Sequence, residues 1–197
     1  MRTRNIHAAA FALTGLMTLA PAFAWQNQGA TATQGQGQGQ GTGSLSAQDR
    51  KFVMEAAQGG MMEVELGRIA SERASNAEVK AFGRRMVDDH TTANERLKQV
   101  ARERSLTLPT EMTAEQKQER DKLNRATGAE FDRMYMSHMV KDHQKDVSEF
   151  EKQTQKGEDQ AVRSFAQQTL PTLREHLEMA QKIATTVGAD HGNHSGH

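Results

Sequence analysis

The chain has 197 residues, with 25 Lys and Arg against 25 Asp and Glu, and no Cys. Zero formal net charge argues against a dedicated nucleic-acid binder, whose affinity comes largely from neutralising phosphates. The missing Cys excludes disulfides and thiolate metal sites, and with 1 Trp, 1 Tyr and 7 Phe the core falls to Leu, Val, Ala and 11 Met.

Arg2 and Arg4 precede an apolar run from Ala8 to Ala20, then Pro21 and the small-residue pattern Ala22-Phe23-Ala24. A basic start, a short hydrophobic stretch and an A-x-A site define a secretory signal peptide, so residues 1–24 are expected to be removed on export to the periplasm. No later stretch is apolar enough to span a bilayer, and no transmembrane segment is expected after cleavage. Residues 25–46, with alternating Gly and Gln from Gly35 to Gly41, read as a disordered Gly/Gln-rich tether.

Beyond the tether, start and stop signals repeat. Ser46-x-x-Asp49, Ser75-x-x-Glu78, Thr113-x-x-Gln116 and Thr127-x-x-Glu130 fit or approximate capping boxes, and Gly157 and Gly188 fall where helices should end. They predict helices over about 48–72, 76–105, 128–155 and 158–187, with a shorter one near 113–126. Pro171 removes one amide donor inside the last helix and is expected to kink it. The connection from Leu106 to Thr127 can run the roughly 45 Å of a thirty-residue helix, which permits a crossover topology. The expected fold is all-α: a ferritin-like four-helix bundle over 47–188, with a long connection carrying a short helix between helices two and three. Residues 189–197 read as a disordered His-bearing tail, able at most to capture metal weakly.

Helical periodicity sets one ionisable residue in each long helix's apolar stripe. Glu63 aligns with Phe52, Ala56, Gly60 and Gly67; His90 with Phe82, Met86, Asn94 and Leu97; His143 with Met136, Met139 and Phe150; His176 with Phe165, Thr172 and Ala180. In the crossover topology all four reach a similar depth. Buried polar groups are costly unless coordinated or hydrogen-bonded, so Glu63, His90, His143 and His176 are expected either to hold a single transition metal ion or to satisfy one another in a metal-free network. Three His and one carboxylate suit zinc, iron or copper. Asp146, Tyr135 and Asn94 are candidates to orient the imidazoles. Asp89 could touch the edge of the site, and Met139, four residues before His143, keeps copper open. His138 borders the apolar face of its helix.

Three stretches carry a resemblance: Ala56-Ala57-Gln58-Gly59-Gly60-Met61-Met62-Glu63-Val64-Glu65, Met86-Val87-Asp88-Asp89-His90-Thr91 and Leu170-Pro171-Thr172-Leu173-Arg174-Glu175-His176-Leu177. In order and spacing the chain from about residue 48 to 187 resembles exported bacterial proteins catalogued as domain of unknown function 4142. That resemblance implies a ferritin-like helical bundle in the cell envelope and no established activity. Di-iron ferritins use Glu-x-x-His pairs, whereas Val87, Val140 and Leu173 stand three residues before the three His here. Neither a ferroxidase nor a nucleophile-based enzyme is supported. Two functional classes stay open: an exported metal-binding protein with an envelope stress or metal-handling role, and a non-catalytic envelope interaction module with a metal-free polar core.

Overall fold

The computed structural model describes residues 44–189; the expectations for 1–24, for 25–43 and for 190–197 lie outside them. Five helices run in the order α1 (Ala47–Arg73), α2 (Ala77–Glu103), α3 (Ala114–Arg125), α4 (Gly128–Lys156) and α5 (Gln160–Val187), with no strand among the described residues.

Most helix ends have a local cause. The Ser46 hydroxyl accepts the Asp49 amide at 3.1 Å, and Thr113 and Gln116 form a reciprocal capping box. Two expectations are corrected. Asn76, not Ser75, caps α2, accepting the amides of Glu78 and Val79 at 2.8 and 3.3 Å. Thr127 holds the cap position of α4 but makes no side-chain cap bond. Gly188 ends α5 in the left-handed conformation at φ 68°, where a Cβ would be strained. Gly157 ends α4 at φ −61°, which any residue can adopt. Helix α5 continues unbroken through Pro171.

Helices α1 and α2 form one hairpin, α4 and α5 the other, and the hairpins meet through α1 against α4 and α2 against α5. A simple up-down-up-down bundle would instead set α2 beside α4. Phe52 near the start of α1 packs on Phe150 near the end of α4, ring centroids 4.9 Å apart, while Arg104 after α2 pairs with Asp159 before α5 at 2.7 Å. Both cross-hairpin contacts are therefore antiparallel, and the connection carrying α3 returns along the bundle. Helix α3 buries only Leu123 and is tied to α1 by Arg73, which donates to the carbonyls of Asn124 and Ala126 at 2.9 and 3.2 Å.

Each hairpin also grips the loop of the other. Asp132, on the first turns of α4, accepts the amides of Ser75 and Asn76 at 3.0 and 2.8 Å. Asp49, on the first turn of α1, accepts those of Glu158 and Asp159 at 3.1 and 2.9 Å and the side chain of Gln153. Both side chains are buried, and each loop amide they accept keeps a partner that would be costly to lose away from water. The two ends thus repeat one device.

The apolar core is split in two. Leu66, Phe82, Met86, Phe131 and Met136 belong to a cluster around the α1–α2 loop. Phe52, Leu97, Phe150, Phe165 and Leu173 form another toward the α4–α5 loop. Each fully buried Leu or Phe contributes about 1.5–3 kcal/mol, and the layer between the clusters is polar.

Candidate metal centre

Glycines set the spacing of α1 and α2. A Cβ on Gly67 would lie 2.8 Å from the Gly83 carbonyl, and one on Gly60 would strike the Asn94 side chain. This close crossing lets Glu63 meet His90, with Oε2 and Nδ1 2.8 Å apart. Helix α4 brings His143, whose Nε2 lies 3.4 Å from Glu63 Oε1, and α5 brings His176. The three imidazole centroids are separated by 5.7, 5.2 and 5.4 Å, a nearly equilateral triangle. One nitrogen of each ring lies within 4.8 Å of one from each of the others. All four residues are buried.

Hydrogen bonds fix which nitrogens face inward. His143 Nδ1 lies 2.9 Å from the Met139 carbonyl, which can only accept, so Nδ1 carries the proton and Nε2 presents a lone pair. His176 Nε2 lies 2.7 Å from Asp89 Oδ2. Burial would raise the Asp89 carboxyl, but its hydrogen bonds with His176 and Arg85 outweigh that and hold it below the ordinary carboxylate range. It is ionised and accepts, so His176 Nδ1 is the free lone pair. His143 Nε2, His176 Nδ1, His90 Nε2 and Glu63 Oε1 are all buried without a hydrogen-bond partner. Such orphaned acceptors each cost about 1–3 kcal/mol.

Electrostatics point the same way. Burial pushes His90 and His176 down to about 4, and it pushes His143, beside two other imidazoles, well below its ordinary value. All three rings are neutral at pH 7, the state in which imidazole binds a metal. Burial, followed by the charge of Asp142, raises Glu63 well above the ordinary range, opposed in part by the neighbouring Asp146 carboxyl. An interior cation would satisfy the lone pairs and the carboxylate together. Two ligand atoms on a tetrahedral ion with bonds of about 2.1 Å stand about 3.4 Å apart, which is the His143 Nε2–Glu63 Oε1 separation.

The surrounding candidates are distributed differently from expectation. The Asp89 carboxylate holds His176, the Met139 backbone carbonyl holds His143 and Glu63 Oε2 lies against His90; none of these contacts comes from Asp146, Tyr135 or Asn94. Tyr135 is buried with an unpartnered hydroxyl, and burial followed by the charge of Glu63 raises its pKa. Asn94 packs over Gly60. Asp146 groups with Glu63 and Asp142, the three carboxylates having oxygens within 4.8 Å of one another. His138 Nδ1 stands 3.9 Å from Glu119, and His138 is not one of the three imidazoles whose nitrogens lie within 4.8 Å of one another. Sequence reasoning missed Asp142, whose only signal is its position one turn before Asp146. It also missed Arg85, which bonds Asp89 at 3.0 Å and Glu175 at 2.8 Å.

No described helix is long and apolar enough to cross a membrane. Several solved structures share the fold. A DUF305 fragment from Deinococcus radiodurans superposes with a TM-score of 0.64 at 14% identity, covering 73% of this chain and 99% of that one. The "putative secreted protein DUF305" from Streptomyces coelicolor gives 0.63 at 15% identity, covering 76% and 98%. A "putative spore coat protein" from Bacillus halodurans gives 0.57 at 11%, covering 74% and 91%. At these identities the likeness is one of fold. No curated protein matches the sequence. Residues 34–183, most of the chain, match the family described as Domain of unknown function (DUF4142), and the protein belongs to that family.

Proposed function

We propose that the protein binds one transition metal ion, of the zinc, iron or copper class, through Glu63, His90, His143 and His176, as an exported metal-handling protein. The observation that carries this reading is the convergence of buried, neutral imidazoles whose inward nitrogens have no hydrogen-bond partner. A shell closed by four protein ligands makes the ion structural, whereas release of Glu63 toward Asp146 would open a position for an external ligand. Export rests on the residues 1–24 pattern, and one protein of like fold, from Streptomyces coelicolor, is described as a "putative secreted protein".

The competing reading, a metal-free envelope interaction module, draws support from the 2.8 Å His90–Glu63 contact, which satisfies one atom of each residue. Elemental analysis of untagged protein separates the two. Stoichiometric metal that survives deletion of residues 190–197 and is lost in His143→Ala supports the metal centre. Metal-free wild type after growth in metal-replete medium contradicts it.

A further inference from the structure

Next to the imidazoles, between α1 and α4, the carboxylates of Glu63, Asp142 and Asp146 border a cleft of about 620 Å³. Glu55, Glu119 and Glu149 extend the acidic wall, with Lys145 the one Lys or Arg among the described residues that line it. The Lys145 ammonium is drawn to Glu149 at 3.6 Å. Like charges at this separation repel unless a proton or a cation lies between them. Crowded acids alone do not make a site. Here Glu63 adds a second observation: it is 2% exposed and lines the cleft, and its Oε1, 3.4 Å from His143 Nε2, has no hydrogen-bond partner.

The placement also follows the internal repeat. Glu63 lies fourteen residues after Asp49 on α1, and Asp146 fourteen after Asp132 on α4. The two helices therefore present matching carboxylates across one interface, and Asp142 joins from one turn earlier on α4. The centre of a triangle with sides of at most 4.8 Å is no more than about 2.8 Å from each corner, so small side-chain shifts would bring three oxygens to the roughly 2.0–2.6 Å of hard-cation bonds.

We propose a second cation position, formed by Glu63, Asp142 and Asp146, that takes an oxygen-preferring divalent ion such as manganese(II) and shares Glu63 with the imidazole centre. Its donors are oxygen only, which disfavours copper and favours hard ions. Three protein ligands leave the remaining coordination positions facing the cleft, open to water or a small anion. The proposal rests on the imidazole reading only through the sharing of Glu63.

Full-length untagged protein carrying zinc is titrated with manganese(II), and free manganese(II) is counted from its six-line EPR signal. The expected result is uptake of one manganese(II) per chain beyond the zinc, weakened at least about tenfold in Asp142→Asn and in Asp146→Asn and unaltered in Asp88→Asn, an exposed control on α2. Both test variants relieve repulsion and should stay helical by circular dichroism. No uptake by the wild type at millimolar manganese(II), or equal uptake by wild type and both variants, overturns the proposal. Uptake that depends on Asp142 and Asp146 in a protein that retains no zinc, iron or copper upholds the carboxylate position and contradicts the imidazole one. Zinc without such uptake contradicts the carboxylate position alone.

Discussion

Asp89 on α2 accepts a 2.7 Å hydrogen bond from His176 on α5, and that bond decides which nitrogen of His176 faces the other imidazoles. Arg85 donates to the same Asp89 oxygen, Oδ2, at 3.0 Å. In Asp89→Asn the amide can present either its oxygen or its nitrogen to His176, so the tautomer is no longer fixed. Metal affinity, measured by competition with a chromophoric chelator, should fall about ten- to a hundredfold while helicity is kept. Unchanged affinity would mean that His176 is not a ligand.

Metal-free protein should lose stability in acid through its buried imidazoles. His176 titrates at about 4 when folded and at about 6.5 when unfolded. Between these values the unfolded chain binds more protons, so the contribution is intact above about 6.5 and is lost as pH falls toward 4. Glu63 and Asp146, both raised, have the opposite sign: their burial costs stability above the ordinary carboxylate range and is relieved as pH falls. The clean comparison is with His176→Leu. Wild type should lose on the order of 3 kcal/mol relative to it between pH 7 and pH 4, read from urea midpoints. Parallel curves would show that His176 is solvated.

Two glycines on α1 should respond to alanine with opposite signs. A Cβ on Gly67 meets the Gly83 carbonyl at 2.8 Å, a backbone atom that cannot rotate away, whereas one on Gly59 meets nothing within 4 Å. Gly67→Ala should lose about 1–2 kcal/mol, the clash exceeding the helix-propensity gain. Gly59→Ala should gain roughly 0.5–1 kcal/mol. Thermal unfolding of the two variants side by side reads the difference, and equal responses would contradict the close crossing of α1 and α2.

How far the sequence foretold all this differs by element. Ser46 and Thr113 are local signals and cap α1 and α3 as their spacing predicts. Ser75 is not a cap because Asp132, more than fifty residues away, takes its amide and that of Asn76. No local pattern encodes that contact. The four inward ionisable residues were legible because helical period assigns each to an apolar stripe. Their polar neighbours were legible only in part: Asp89 stood as a candidate for the edge of the site and Asp142 did not, since each stands beside an inward His and on a single helix diverges from it. Only the neighbouring helices bring them to the polar layer: α5 carries His176 to Asp89, and α1 carries Glu63 toward Asp142.

The loop clamps should carry measurable stability. Asp132→Ala strips the acceptor from two amides, so a loss of about 3 kcal/mol is expected, with roughly 1 kcal/mol for Asp132→Asn, which keeps one acceptor oxygen. Equilibrium urea unfolding checks both, and hydrogen exchange should show the Ser75 and Asn76 amides losing protection first. A loss below about 0.5 kcal/mol for Asp132→Ala would show that water replaces the clamp without cost.

X-ray absorption at the edge of the bound metal, on protein carrying one ion per chain, tests the central claim most directly. The account predicts a first shell of three imidazole nitrogens and one carboxylate oxygen at about 2.0–2.2 Å, with imidazole scattering reduced by one ring in His176→Ala. A shell of oxygens alone, or one with fewer than two imidazoles, would contradict it.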